Sequence, residues 1–97
     1  MMLRFLLLGA ATLSAEQWTG AISESGCGVK HAEGGAAAEK CVTGCVKKGA
    51  APVFVTGGKV IRIVNGEKVM DHLGKKVTLT GRLAHGMVTV DEIAVAE

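Results

Sequence analysis

The chain has few aromatic residues: two Phe, one Trp and no Tyr among 97 residues. Proteins that bind single-stranded nucleic acids stack the bases on aromatic side chains within a basic groove. A net charge of +2 is also too small for broad electrostatic capture of a polyanion. We therefore expect no nucleic-acid partner.

Because the sequence contains no phosphate loop, no Gly-x-Gly-x-x-Gly and no Ser/His/Asp pattern around a sharp turn, it predicts no enzymatic activity.

Long hydrophobic runs are also missing, apart from a short one at the N-terminus. A positive start, Met1–Arg4, precedes the apolar run Phe5–Leu8 and the small residues Gly9–Ala15. This order predicts a secretory signal peptide over residues 1–15. Its apolar run is far shorter than the roughly 20 apolar residues of a membrane span. We expect a single domain over residues 16–97, exported to the periplasm or outside the cell, with no transmembrane segment in the mature chain.

Hydrophobic alternation and β-branched runs predict five strands. They lie at 17–23, 53–56, 59–64, 77–83 and from 88 onward. Gly57-Gly58 and His85-Gly86 are expected to be hairpin turns. Because Ile93 and Val95 are out of phase with Val88 and Val90, we expect a one-residue bulge near Asp91-Glu92 that returns both apolar pairs to the core. Asn65 is expected to be the N-cap of a short helix that ends before Gly74.

The segment 24–51 is rich in Gly and Ala, contains all three cysteines and does not alternate. It is expected to be an insertion with its own helix, from about Ala36 to Lys48, followed by the C-terminal stop Gly49. The apolar face of this helix follows the i, i+3, i+4 pattern and comprises Ala38, Cys41, Val42, Cys45 and Val46.

The order of elements predicts a mainly β fold with some α: a small five-stranded OB-like barrel with a Cys-containing helical insertion between strands 1 and 2. Gly20 and Gly81 suit the bends that close such a barrel. The alternative is an open antiparallel sheet with the helix on one face. Candidate core residues are Trp18, Ile22, Phe54, Ile61, Leu79, Leu83, Val88 and Val90.

Five motifs occur along the mature chain: Trp18-Thr19-Gly20-Ala21-Ile22-Ser23, Cys27-Gly28 with His31, Cys41 and Cys45, Pro52–Val55 and Gly74–Gly81. Together they resemble a family of small exported bacterial proteins that have an OB-like domain and no established function. The resemblance covers nearly the whole mature chain. It implies the fold and the export route, and it supplies no activity or partner.

The residues Cys27, His31, Cys41 and Cys45 provide three thiolates and one imidazole at spacings of Cys-x3-His and Cys-x3-Cys. Residues four apart share one face of a helix, so Cys41 and Cys45 lie one turn apart and a loop can place Cys27 and His31 over them. Zinc and copper(I) are the metals that such soft ligands prefer. The first interpretation is therefore that these residues bind a metal and that the chain is a metal-binding periplasmic protein.

The second interpretation, and the one that the export signal favours, is a disulfide in a binding or structural module that needs no cofactor. Within one helix the Cβ atoms of Cys41 and Cys45 are about 5–6 Å apart, whereas a disulfide needs about 3.8 Å. Cys27 is therefore expected to pair with Cys41 or Cys45.

His72 and His85 are expected to be solvated side chains. The sequence has no Cys-x-x-Cys and therefore neither the thioredoxin-type motif nor the covalent haem motif.

Overall fold

The structure, a computed structural model, describes residues 15–96. The predicted signal peptide therefore lies outside the described residues except for Ala15. None of the helices between residues 15 and 96 has both the length and the apolar character needed to cross a membrane.

Five strands form one sheet: β1 (Glu16–Glu24), β2 (Pro52–Thr56), β3 (Lys59–Ile63), β4 (Lys76–Ala84) and β5 (Met87–Val95). The strand order is β1-β2-β3-β5-β4, and β4 also pairs with β1, so the sheet closes into a barrel. All pairings are antiparallel except the short β3/β5 pair. The expected mainly β architecture with five strands is confirmed.

Both predicted hairpin turns are present. Gly57 and Gly58 have φ angles of 56° and 77°, and His85 and Gly86 have φ angles of 56° and 76°. Two consecutive positive φ angles define the type I′ turn, whose twist matches that of the flanking strands. Glycine adopts this conformation freely, whereas His85 is the only non-glycine residue between 15 and 96 that does so.

The predicted bulge lies on β5. Thr80 pairs with Glu92 and Gly81 pairs with Val90, so Asp91 is the extra residue. At the same point a Cβ on Gly81 would collide with the carbonyl oxygen of Thr89, which explains the glycine in the strand. The bulge returns Ile93 to the edge of the core, but Val95 remains 48% exposed, so the expectation was wrong for Val95.

The barrel interior is filled by aliphatic side chains around one aromatic pair. Phe54 is fully buried, and its ring centroid lies 6.3 Å from that of Trp18. Leu83 was expected in the core and is 49% exposed, because the last three residues of β4, to which it belongs, are exposed. The buried core residues are Ile22, Val42, Phe54, Val69, Leu73, Val77, Leu79, Val88 and Val90, with Trp18, Val46, Ile61, Ile63 and Ile93 packed against them.

The helix of the insertion, α1, spans Ala36–Lys47, in agreement with the sequence. Its C-terminus is closed by two backbone hydrogen bonds, from Gly49 to the Val46 carbonyl and from Ala50 to the Cys45 carbonyl. This is the Schellman arrangement, and Gly49 has the positive φ of 108° that it requires.

The helix after Asn65 is a 3-10 helix, Gly66–His72, and Asn65 is in its N-cap position without capping it. Instead, the Asn65 side chain donates to the Val90 carbonyl and accepts from the Val90 N–H, both at 2.8 Å. The expected local cap was therefore wrong, because a longer-range pair of hydrogen bonds to β5 uses both polar atoms of the side chain.

The insertion is fastened to the barrel at glycines. Gly35 N–H donates to the Gly74 carbonyl at 3.2 Å, and Gly74 N–H donates to the Ile22 carbonyl at 2.8 Å. A Cβ on Gly74 would lie 2.6 Å from the carbonyl carbon of Ala38, inside the first turn of α1. The backbone of α1 therefore directly approaches the backbone that follows the 3-10 helix Gly66–His72, and this contact fixes where α1 lies.

Candidate metal centre

The second half of β1 is buried on both faces, in contrast to its exposed start. Regular alternation places Ile22 and Glu24 on one face and Ala21 and Ser23 on the other. The Ser23 hydroxyl donates to the Gly28 carbonyl at 2.7 Å. This bond holds the first 3-10 helix, Gly28–His31, against the end of β1.

Three of the predicted ligands lie together. The sulfur atoms of Cys27 and Cys41 and an imidazole nitrogen of His31 are all within 4.8 Å of one another. Cys27 precedes the first 3-10 helix, His31 ends it, and Cys41 lies on α1. The loop therefore folds over the helix as the sequence predicted.

His31 also has a buried ring nitrogen. Its Nε2 is inaccessible to solvent and has no hydrogen-bond partner among residues 15–96. Buried nitrogen atoms of this kind are nearly always satisfied by protein, water or an ion. A bound metal is one partner that would satisfy this nitrogen.

The fourth predicted ligand, Cys45, is one turn further along α1 and is not within the same 4.8 Å group. All three cysteines are free thiols in the structure. The expected disulfide stays a prediction.

Glu24 is the residue of this site that the sequence interpretation missed. It is only 1% exposed, and neither ion pair found within residues 15–96 includes it. Its carboxylate accepts the backbone N–H groups of Gly26 at 2.6 Å and Cys27 at 3.1 Å. A buried charge is tolerated only when such partners replace water. The available signal was its position on β1, in phase with Trp18, Gly20 and Ile22, immediately before the cysteines.

The carboxylate of Glu24 and the thiol of Cys27 shift each other's pKa values. The hydrogen bond from Cys27 lowers the pKa of Glu24, against the opposing effect of burial. The same hydrogen bond, together with burial and the negative charge, raises the pKa of Cys27 to about 11. Burial, followed by the charge of Glu24, raises the pKa of Cys45. In the metal-free protein both of these groups are thiols rather than thiolates at neutral pH.

The other two histidines lie outside the cluster. His85 is exposed in its turn, as expected. His72 was expected to be solvated, but it is half-buried and its Nδ1 has no partner among the described residues. The difference arises because the second 3-10 helix packs Val69 and Leu73 into the core, which draws its C-terminal end inward.

The donor set fits a soft metal ion. Two thiolates at about 2.3 Å from a tetrahedral zinc ion are roughly 3.8 Å apart. The observed limit of 4.8 Å exceeds this separation by about 1 Å, which side-chain rotation can close. The arrangement can also bring the sulfur atoms of Cys27 and Cys41 together for oxidation.

Comparisons with protein-family models, curated proteins and solved structures found no match to this chain. The resemblance to small exported bacterial proteins stays a prediction.

Proposed function

We propose that this protein is an exported metal-binding module in which Cys27, His31 and Cys41 hold zinc or copper on a small OB-like barrel. The observation that carries the proposal is the meeting of two sulfurs and one imidazole within 4.8 Å. In addition, the Nε2 atom of His31 is buried and has no hydrogen-bond partner among residues 15–96. Thiolate and imidazole are the ligands that zinc and copper(I) prefer. The export route rests on the residues of the N-terminal segment.

The OB-like assignment is supported by the strand order β1-β2-β3-β5-β4, with a parallel β3/β5 pair and a helix between β3 and β4. A fold of this kind does not define an activity. The function is therefore assigned to the cluster beside β1, and the proposal contains no catalytic step.

The test is metal content and thiol titration of protein isolated from the cell envelope, with and without a chelator. A metal site predicts a stoichiometric ion and thiols that become reactive only when the chelator removes it. His31→Ala should lower metal affinity by more than about 100-fold, because even outer groups of metal sites contribute 10- to 100-fold. His85→Ala, at an exposed turn, is the matched control and should leave affinity unchanged.

The second candidate is a disulfide-stabilised binding or structural module without a metal. It is favoured by the proximity of the Cys27 and Cys41 sulfur atoms and by the predicted export to an oxidising compartment. In that case the unreduced protein has one free thiol, Cys45, and no bound metal. Finding this composition would overturn the metal proposal.

A further inference from the structure

We propose that Cys41 is a site of thiol modification in chains that hold no metal: it reacts with small disulfides such as oxidised glutathione, and Cys27 resolves the adduct into an internal Cys27–Cys41 disulfide that blocks reloading. This inference rests on the proposed metal site, which the resting protein keeps occupied, and it adds the reaction that closes the site once the ion has left. Metal and disulfide exclude each other, because both use the sulfur atoms of Cys27 and Cys41.

The first step concerns access to the cysteines. Cys41 is exposed on α1, whereas Cys27 and Cys45 are half-buried. The rate of thiol–disulfide exchange depends on how well the attacking thiol and the disulfide can reach each other. Cys41 is therefore the cysteine that a small disulfide in solution meets first.

The second step concerns the resolving thiol. The sulfur atoms of Cys27 and Cys41 lie within 4.8 Å of each other, and that of Cys45 is outside this group. To form an S–S bond of about 2.05 Å the two sulfurs must approach by at most about 2.8 Å, which rotation of the two side chains can supply. Cys45 is unsuited to pair with Cys41, because Cβ atoms one helical turn apart are about 5–6 Å from each other and a disulfide needs about 3.8 Å.

Both reacting cysteines lie on backbone that is held by hydrogen bonds to other parts of the fold. The Cys27 N–H donates to the Glu24 carboxylate at 3.1 Å. At the start of α1, the Gly35 N–H donates to the Gly74 carbonyl at 3.2 Å. Neither bond uses a metal-ligating atom, so the two sulfurs stay adjacent after the ion has left.

The reaction consists of two exchanges. Cys41 gives its thiol proton to the buffer, and its sulfur attacks the small disulfide, whose S–S bond breaks and releases one half as a thiolate. Cys27 then gives up its proton, and its sulfur attacks the Cys41 sulfur and releases the second half. Two electrons pass from the two cysteines to the small disulfide, which ends as two thiols after each half takes up a proton.

The experiment treats the reduced, metal-free chain with oxidised glutathione and then offers zinc, an ion with no redox chemistry of its own. Each chain should lose two of its three free thiols, keep no glutathionyl group and take up no zinc, as measured by thiol titration, intact mass and elemental analysis. Reduction with a phosphine should restore the thiols and the zinc uptake. Cys45→Ser, on the same helix, is the matched control and should also lose two thiols and its zinc uptake.

The order of the two cysteines has a readout that does not depend on a metal. Cys27→Ser should accumulate a glutathionyl group on Cys41, located by peptide mass spectrometry, because the resolving thiol is missing. Cys41→Ser should gain no adduct on Cys27 in the same time.

Three results would each overturn the inference and leave the proposed function intact: a lasting adduct on Cys41 in the wild type, a disulfide that includes Cys45, or zinc uptake by the oxidised chain. A chain loaded with zinc before the treatment should keep its thiols. Equal thiol loss in that chain, or a reduced wild type that takes up no zinc, would overturn the proposed zinc site and the blocking step with it.

Discussion

Replacing Phe54 by alanine should destabilise the barrel by about 3–5 kcal/mol. The side chain is fully buried, and its ring packs against Trp18 with an interplanar angle of 56°. Removing roughly 130 Å² of buried ring surface at about 25 cal/mol per Å² costs about 3 kcal/mol. Losing the aromatic pair adds about 0.5–1.5 kcal/mol.

The matched control is Leu83→Ala, since Leu83 has the same hydrophobic character in a strand and is 49% exposed. It should lower the free energy of unfolding by no more than about 1 kcal/mol. Urea unfolding followed by far-ultraviolet circular dichroism measures both, because Trp18 fluorescence would itself change without Phe54. A loss below about 1 kcal/mol in Phe54→Ala would refute the assignment of this ring to the core.

Three further results are expected. Asn65→Ala should cost about 1–3 kcal/mol, because it leaves the N–H and carbonyl of Val90 without their partner, and urea unfolding measures it. Gly81→Ala should abolish folding or lower the melting temperature sharply, whereas Gly44→Ala, where nothing lies within 4 Å of the new Cβ, should stabilise α1 by up to about 1 kcal/mol; equal effects would contradict the close approach at Gly81. The pKa of Cys27 is raised from 9.0 to about 11, so the reduced, metal-free protein should keep its full stability below pH 9.0 and lose part of it as the pH rises to about 11. Unfolding in Cys27→Ser should show a smaller alkaline loss, to which the raised pKa of Cys45 still contributes, and an unchanged slope would contradict the coupling between Cys27 and Glu24.

Local signals were sufficient for most of the fold. Gly57-Gly58 and His85-Gly86 marked their hairpins because positive φ angles are a property of short sequences. The bulge at Asp91 followed from the phase of the apolar residues alone. The N-cap position of Asn65 was predicted correctly, but the partner of its side chain was not, because Val90 is 25 residues away and no local pattern records such a bond.

The site was predicted in outline for a similar reason. The sequence spacing predicted that Cys27, His31 and Cys41 lie together, because α1 fixes the position of Cys41 and the segment between His31 and α1 is short. It could not separate Cys45 from them, because two cysteines one turn apart on a helix are equivalent by spacing, and only the packing of the loop on α1 decides which of them lies nearer Cys27 and His31. Alternation along β1 indicated the inward position of Glu24, but a buried carboxylate runs against the usual rule.

The backbone contact at Gly74 makes the insertion and the barrel a single cooperative unit. Because Gly35 and Ile22 both hydrogen-bond to Gly74, α1 cannot detach without breaking bonds at the end of β1. Amide hydrogens of α1 near Glu39 should then exchange with solvent at rates close to those of β1 rather than those of an independent loop. Any ion that tightens the cluster would slow exchange far across the barrel, so occupancy could be detected at strands that contain no ligand.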